Sequence, residues 1–281
     1  MSALSLGLIA ALCWGFHDIC VRFLSQKVRI SACIFTVLIT GFAFQAGLTL
    51  ITGHSVELAT KSAGISAVSG VFFVIAGFSL YYAFQRGPVK VVAPLIASYP
   101  VFSVGWAVFN GTSVNVLQWT AVLAIIIGVA IVAGLSKDES EETPPLGPTI
   151  ALSLLAAAGF AATFATGQSA AKLMHEIPAT LITRGVAVCF TIAFILATRD
   201  RFWPGRSALP WLLAMGVADG IALFCVVSAG GLENEHYAAV SSSMFGLLTI
   251  LFAWIFLKEK LTAAQMGGCI VAFVGVGYLA L

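Results

Sequence analysis

The sequence predicts an all-α integral membrane protein of ten transmembrane helices, arranged as two inverted five-helix repeats. Three observations predict it. Of the 281 residues, 60% are hydrophobic and 9% charged, with a mean hydropathy of +1.02. A soluble domain of that length has no use for so much apolar surface. The apolar residues come in successive blocks of roughly 20, the length of helix that crosses ~30 Å of hydrocarbon, and none shows the period of two of a barrel strand. The basic residues, finally, are partitioned so that the two halves of the chain insert upside down with respect to each other.

Blocks bounded by charge, Gly or Pro run near 3–24, 31–52, 64–85, 88–109, 117–135, 149–171, 178–198, 208–230, 236–257 and 262–281. Only Met1 and Ser2 precede the first. That block is too long for a signal h-region and has no basic leader, so it is expected to be a retained span. The connections are short except for 136–148, which holds Asp138, Glu139, Glu141, Glu142, Pro144 and Pro145. The expected organisation is a first repeat at 1–135, an acidic linker at 136–148 and a second repeat at 149–281.

A shift of 147 residues lays 87–134 on 234–281 without a gap, pairing Gln118 with Gln265, Gly128 with Gly275, Val129 with Val276 and Ala133 with Ala280. The charges say more. The connections after spans 1, 3, 5, 7 and 9 carry Arg22, Lys27, Arg29, Arg86, Lys90, Lys137, Arg199, Arg201, Arg206, Lys258 and Lys260, leaving only Lys61, Lys172 and Arg184 of the 14 Lys and Arg for the other side. The basic side is expected to be cytoplasmic, with both termini outside. In the first half the basic residues follow spans 1 and 3, and in the second spans 7 and 9, as an inverted-topology repeat requires.

An ionised group in hydrocarbon is costly, so each midspan ionisable residue is a candidate for function. Asp219 lies near the middle of span 8 between Gly216 and Gly220, which leave room for a backbone or a ligand. It is read either as a substrate or coupling carboxylate or as a carboxyl bonded to a neighbouring helix. In span 1, Trp14, Asp18 and Arg22 share a face. The plain reading is an Asp18–Arg22 pair at helical spacing; the functional one has Asp18, His17 or both touching solute or moving a proton. Span 4 holds Pro94 and Pro100 around Ser98 and Tyr99, so it should bend and expose carbonyls to a cavity. Ser241 and Ser242 of span 9 fall opposite in the repeat, as a second wall or as small-residue packing. Tyr81 and Tyr82 end span 3 and read first as interfacial anchors. Arg184 is expected to snorkel, with pairing to Asp219 as the alternative.

Other classes find less support. A net charge of +2 without a basic, aromatic-interleaved stripe excludes nucleic acid as the expected partner. The six cysteines, Cys13, Cys20, Cys33, Cys189, Cys225 and Cys269, all lie inside apolar blocks and form no C-x-x-C. They are expected to be buried thiols, with no metal and no cofactor. There is no P-loop, H-E-x-x-H or G-x-S-x-G, and Ala218-Asp219-Gly220 only brushes against an intramembrane-protease motif. No filter-like run suggests a channel.

The tail Ala253-Trp254-Ile255-Phe256-Leu257-Lys258-Glu259-Lys260-Leu261-Thr262, followed by Gln265, Gly268 and Gly275, resembles the repeat ending of EamA-type members of the drug/metabolite transporter superfamily. Ala11-Leu12-Cys13-Trp14-Gly15, Gly87-Pro88-Val89 with Ala93-Pro94-Leu95, and Gln118 with Gly128 are similar to the same family. The resemblance implies a ten-helix carrier of small metabolites, amino acids, drugs or sugar derivatives. It also implies a central cavity lined mainly by spans 1, 3, 4, 6, 8 and 9, and export as the direction. The chain departs from the pattern at Asn110-Gly111-Thr112, where a Leu-Gly-Glu type of turn is common. The expected protein is a secondary transporter in the cytoplasmic membrane. Its partners would be a small-molecule substrate, protons and the lipid bilayer, and it would work as a monomer or weak homodimer. An importer or exchanger of the same fold and a membrane-embedded enzyme are the other readings. Two midspan carboxylates and a histidine favour a cationic or zwitterionic solute, or proton exchange for a neutral one.

Overall fold

The structure is a computed structural model that describes all residues except 59–60, 110, 112, 114, 136–144, 231, 233–237, 239–240, 259–260 and 280–281, together with the side chains of 107, 129, 133, 134 and 279. Most of the acidic linker thus lies outside the described residues. Among those described there is no strand, only helix and short connections. The helices are α1 (Ala3–Leu24), α2 (Ile30–Thr52), α3 (Lys61–Arg86), α4 (Val89–Ala97), α5 (Tyr99–Phe109), α6 (Val116–Gly134), α7 (Leu146–Ala171), α8 (Glu176–Thr198), α9 (Leu209–Ser228), α10 (Phe245–Phe252, continued by a π-helical turn Ala253–Leu257) and α11 (Ala263–Leu279). Seven spans are long and apolar enough to cross a bilayer, counting α4 and α5 as one, and three shorter apolar helices make ten.

Local chemistry sets the ends. Ser2 caps α1, its hydroxyl accepting from the Ser5 N–H while the Ser5 hydroxyl answers at the Ser2 N–H. Helix α7 starts earlier than the sequence suggests: 146–148, read as linker, form its first turn. Pro148 is tolerated there because the missing N–H would have no intrahelical partner.

Span 4 breaks where its prolines predict. Pro100, second in α5, has no N–H to offer the Ile96 carbonyl, so the helix interrupts at Ser98 (φ −76°, ψ 5°). The Ser98 hydroxyl bonds the Leu95 carbonyl at 2.7 Å, so that carbonyl is capped locally. Span 9 is interrupted too, by a turn at Ser243–Met244 before α10. The repeat shift sets Met244 opposite Ala97, so both halves break one helix at nearly the same place, as inverted-repeat carriers do.

The packing is symmetric under exchange of the halves. Helix α1 packs on α9 as α7 packs on α3; α2 packs on α9 as α8 packs on α3; α1 meets α10 as α7 meets α4 and α5. The pairs α2–α8, α4–α10 and α6–α11 are their own counterparts. In α6–α11 the reciprocity reaches single residues. A Cβ on Gly128 would run into the Gly268 carbonyl, and one on Gly275 into the Ala121 carbonyl, the same contact after the shift. Close approach without side chains is how helices associate where water supplies no hydrophobic drive.

The connections fall on two faces, inverted as the charges predict. On the basic face Arg29, between α1 and α2, meets Asp200, between α8 and α9, at 2.7 Å. Gln26 and Gln85 bond crosswise to the Gln85 and Ser25 carbonyls, tying α1 to the end of α3. On the opposite face the His54 and His175 rings meet with centroids 3.7 Å apart, tilted by 35°. Of the six tryptophans, five are exposed around the bundle at 47–61%, where amphipathic rings suit a lipid boundary. Trp14 is the exception at 6%.

Candidate functional site

The two halves enclose a cavity of about 40 Å³, room for a few waters. Its walls come from α1 (Trp14, His17, Asp18), α2 (Ile34, Val37, Leu38), α3 (Phe73, Val74, Gly77, Leu80, Tyr81), α5 (Tyr99), α7 (Phe160, Phe164), α9 (Asp219) and α10 (Phe245). Seven of these are aromatic. Phe164 stacks on Trp14 at 5.3 Å and takes Tyr99 edge-on at 5.2 Å, and Phe160 continues the row at 5.9 Å.

Two polar groups interrupt the apolar wall. The first is built on Asp219, 5% exposed. Its Oδ1 accepts from the Trp14 indole N–H at 2.9 Å and its Oδ2 from Arg184 at 2.9 Å. The same Arg184 Nη2 donates to the Asp219 backbone carbonyl at 2.7 Å. Arg184 is fully buried, its guanidinium carbon 5.2 Å from the Phe73 ring centre. Gly41 makes the space, since a Cβ there would overlap the Arg184 Nη1. The expectation that Arg184 snorkels is therefore overturned: Arg184 lies on the face of α8 that packs against α2 and α3, and the guanidinium finds its counter-charge within reach on α9.

The second group is His17 with Asp18. The ring pairs Nδ1 with Asp18 Oδ1 at 2.9 Å and Nε2 with the Tyr81 hydroxyl at 3.1 Å. The other Asp18 oxygen, Oδ2, is buried without a partner. Helical spacing suggested Asp18–Arg22, but Arg22 reaches across to the Phe84 carbonyl at 2.8 Å, leaving Asp18 to its neighbour. Tyr81, read first as an interfacial anchor, is 4% exposed and belongs to the cavity wall. Its sequence signal was the spacing of Phe73, Gly77 and Tyr81 at i, i+4, i+8, which puts all three on one face of α3.

The remaining candidates sort by geometry. Tyr99 is buried at the cavity, its hydroxyl 2.6 Å from Ser242 Oγ across the two broken spans. Ser241 packs on α1, where a Cβ on Gly7 would overlap its hydroxyl, and bonds the Leu4 carbonyl at 3.4 Å. Ser98, Pro94 and Pro100 shape span 4 without bordering the cavity. No cluster of three or more His, Cys, Asp or Glu residues among those described could hold a metal.

A sequence model of the EamA-like transporter family matches residues 1–134 and, a second time, 147–281. The chain belongs to the EamA-like transporter family. An uncharacterized transporter from Archaeoglobus fulgidus is 23% identical over 286 residues, spanning 100% of this chain and 99% of its own. A solved structure titled only as the crystal structure of a protein superposes with a TM-score of 0.73 at 16% identity, covering 98% of this chain and 95% of its own; it shares the fold. The EamA-like chain is thus a multi-pass membrane protein and a transporter, with a small molecule as substrate. Its double match coincides with the two halves that pack symmetrically.

Proposed function

We propose that the chain is a secondary transporter that moves a small metabolite across the cytoplasmic membrane by alternating access, exporting it at the expense of a proton gradient. The repeats are taken as 1–135 and 149–281, joined by the acidic segment 136–148, with the basic face cytoplasmic. The observation that carries this reading is the place of the cavity. It lies where the halves meet and takes walls from both, and on each face of the bundle a contact joins connections of opposite halves.

Those two contacts are counterparts. Arg29 and Asp200 shifted by 147 fall at 176 and 53, each one residue from His175 and His54. One face has an ion pair and the other an imidazole pair, at nearly equivalent positions of the inverted repeat. In this reading the cavity, with room for only a few waters, admits a larger solute when the halves rock so that one of these contacts parts while the other is kept. Midplane binding between inverted repeats is the arrangement that such motion needs.

Trp14, His17, Asp18 and Tyr99 are proposed as the residues that meet solute, with Ser242 holding Tyr99 and Asp219 holding Trp14. Ser98, Ser241, Pro94 and Pro100 are assigned to shaping the broken spans. A cysteine pair at Arg29 and Asp200, cross-linked in proteoliposomes, is expected to stop flux while leaving the cavity open to a small thiol reagent from the His54–His175 side. The reverse holds for a pair at 54 and 175. Full flux with either closure cross-linked would remove alternating access.

A further inference from the structure

Within that reading, the chemistry of the cavity narrows the solute. Count the charges that border it. Asp219 has both oxygens matched, by Trp14 and by Arg184. Arg184 stands behind the wall, between Gly41 and the Phe73 ring, and does not line the cavity. Asp18 has one oxygen on His17, while its Oδ2 is buried, 1% exposed as a residue, with no donor. Buried carboxylate oxygens find donors in native structures, so an orphan oxygen on a residue that borders a cavity points to a donor that arrives from outside.

The rest of the wall says what carries that donor. Aromatic rings attract cations through their faces and offer apolar area to a ring-sized body. A carboxylate on the same solute would enter an almost wholly apolar wall that already borders on Asp18 and Asp219. Arg184, whose Nη2 holds Asp219, keeps Nε and Nη1 unpartnered but stands outside the lining, and among the described residues no Lys or Arg borders the cavity to receive it. Unpaired charge in such a place is costly.

We infer that the solute is an organic amine with an apolar or aromatic body and no carboxylate, its ammonium bonded to Asp18 Oδ2. Amino acids and other zwitterions are then rejected by the site, since the partner they need is absent. Asp219 serves the same site at one remove, by holding the Trp14 indole and thereby the ring row behind it.

The test is a binding series by isothermal titration to the purified full-length protein, with phenethylamine, phenylalanine and 3-phenylpropionate as probes of one body with three charge patterns. Phenethylamine is expected to bind at least tenfold tighter than either other probe, and Asp18→Asn to weaken it tenfold or more with an unchanged elution profile. Phenylalanine within threefold of phenethylamine, or an Asp18→Asn variant that binds as wild type, overturns the assignment. So does the absence of binding by phenethylamine at millimolar concentration. The wild-type series decides alone should Asp18→Asn fail to fold. Alternating access is judged separately by the cross-linking above, which needs no knowledge of the ligand.

Discussion

Removing the Asp219 charge leaves Arg184 buried and unpaired. Asp219→Asn is therefore expected to lower stability by about 3 kcal/mol, and Arg184→Met by a similar amount. The double variant should recover most of the loss, because it buries no charge; thermal unfolding in detergent reads all three. Equal additive losses would mean that the pair is not coupled. That Asp219 would need a partner was legible in the sequence, since a carboxylate at midspan is costly wherever it sits. Its partner was not. Arg184 lies near the start of an apolar span, and only the glycine at 41, on a third helix, makes room for it inside. Gly41→Ala is expected to unseat it, with a loss of about 2 kcal/mol. Tyr81 was misplaced for a similar reason: five residues from a span end reads as interface, but α3 is overlong and tucked against α7.

At the scale of elements, the repeat explains a strained residue. Lys258 closes the π-helical turn at φ +55°, a left-handed conformation that costs an ordinary side chain about 1–2 kcal/mol. Its counterpart after the 147-residue shift is Gly111, at φ +84°. The first half thus meets the same turn with glycine, and the second with lysine. Lys258→Gly should leave the unfolding midpoint unchanged or raise stability by up to about 1 kcal/mol, whereas Lys258→Val should lower it. A midpoint raised by valine would contradict the shared turn. The break in span 4 was legible from Pro94 and Pro100, but its matching break in span 9 was not, since that segment has no proline; just beyond it Gly246 lies against Ala93 and Ala97 of span 4. The expectation of open carbonyls at Ser98 met a hydroxyl able to cap its own turn.

The closure on the basic face has its own pH dependence. Ser31, the Arg201 N–H and Arg29 all bond Asp200, which holds its carboxyl below the ordinary value of 3.8. Those bonds favour the ionised form, so their contribution is complete above the ordinary carboxylate value and is lost as pH falls through the lower folded one. Asp200→Asn should lower the unfolding midpoint at neutral pH, and the difference from wild type should vanish in strong acid. A difference that instead disappears near neutrality would assign the effect to another group.

For the whole molecule, the ten spans and the inversion of the halves were readable because bilayer thickness and the bias of basic residues act on sequence directly. The meeting of the halves was less so, since small residues such as Gly128, Gly268 and Gly275 mark close approach without naming the partner. Everything proposed for the cavity rests on two halves of opposite orientation around one space. The direct measurement is labelling of Ser55→Cys and Arg201→Cys by a membrane-impermeant maleimide in oriented vesicles, with the six native cysteines replaced by alanine. The account predicts that the reagent reaches position 55 from one side only and position 201 from the other side only. Labelling of both from the same side would contradict it.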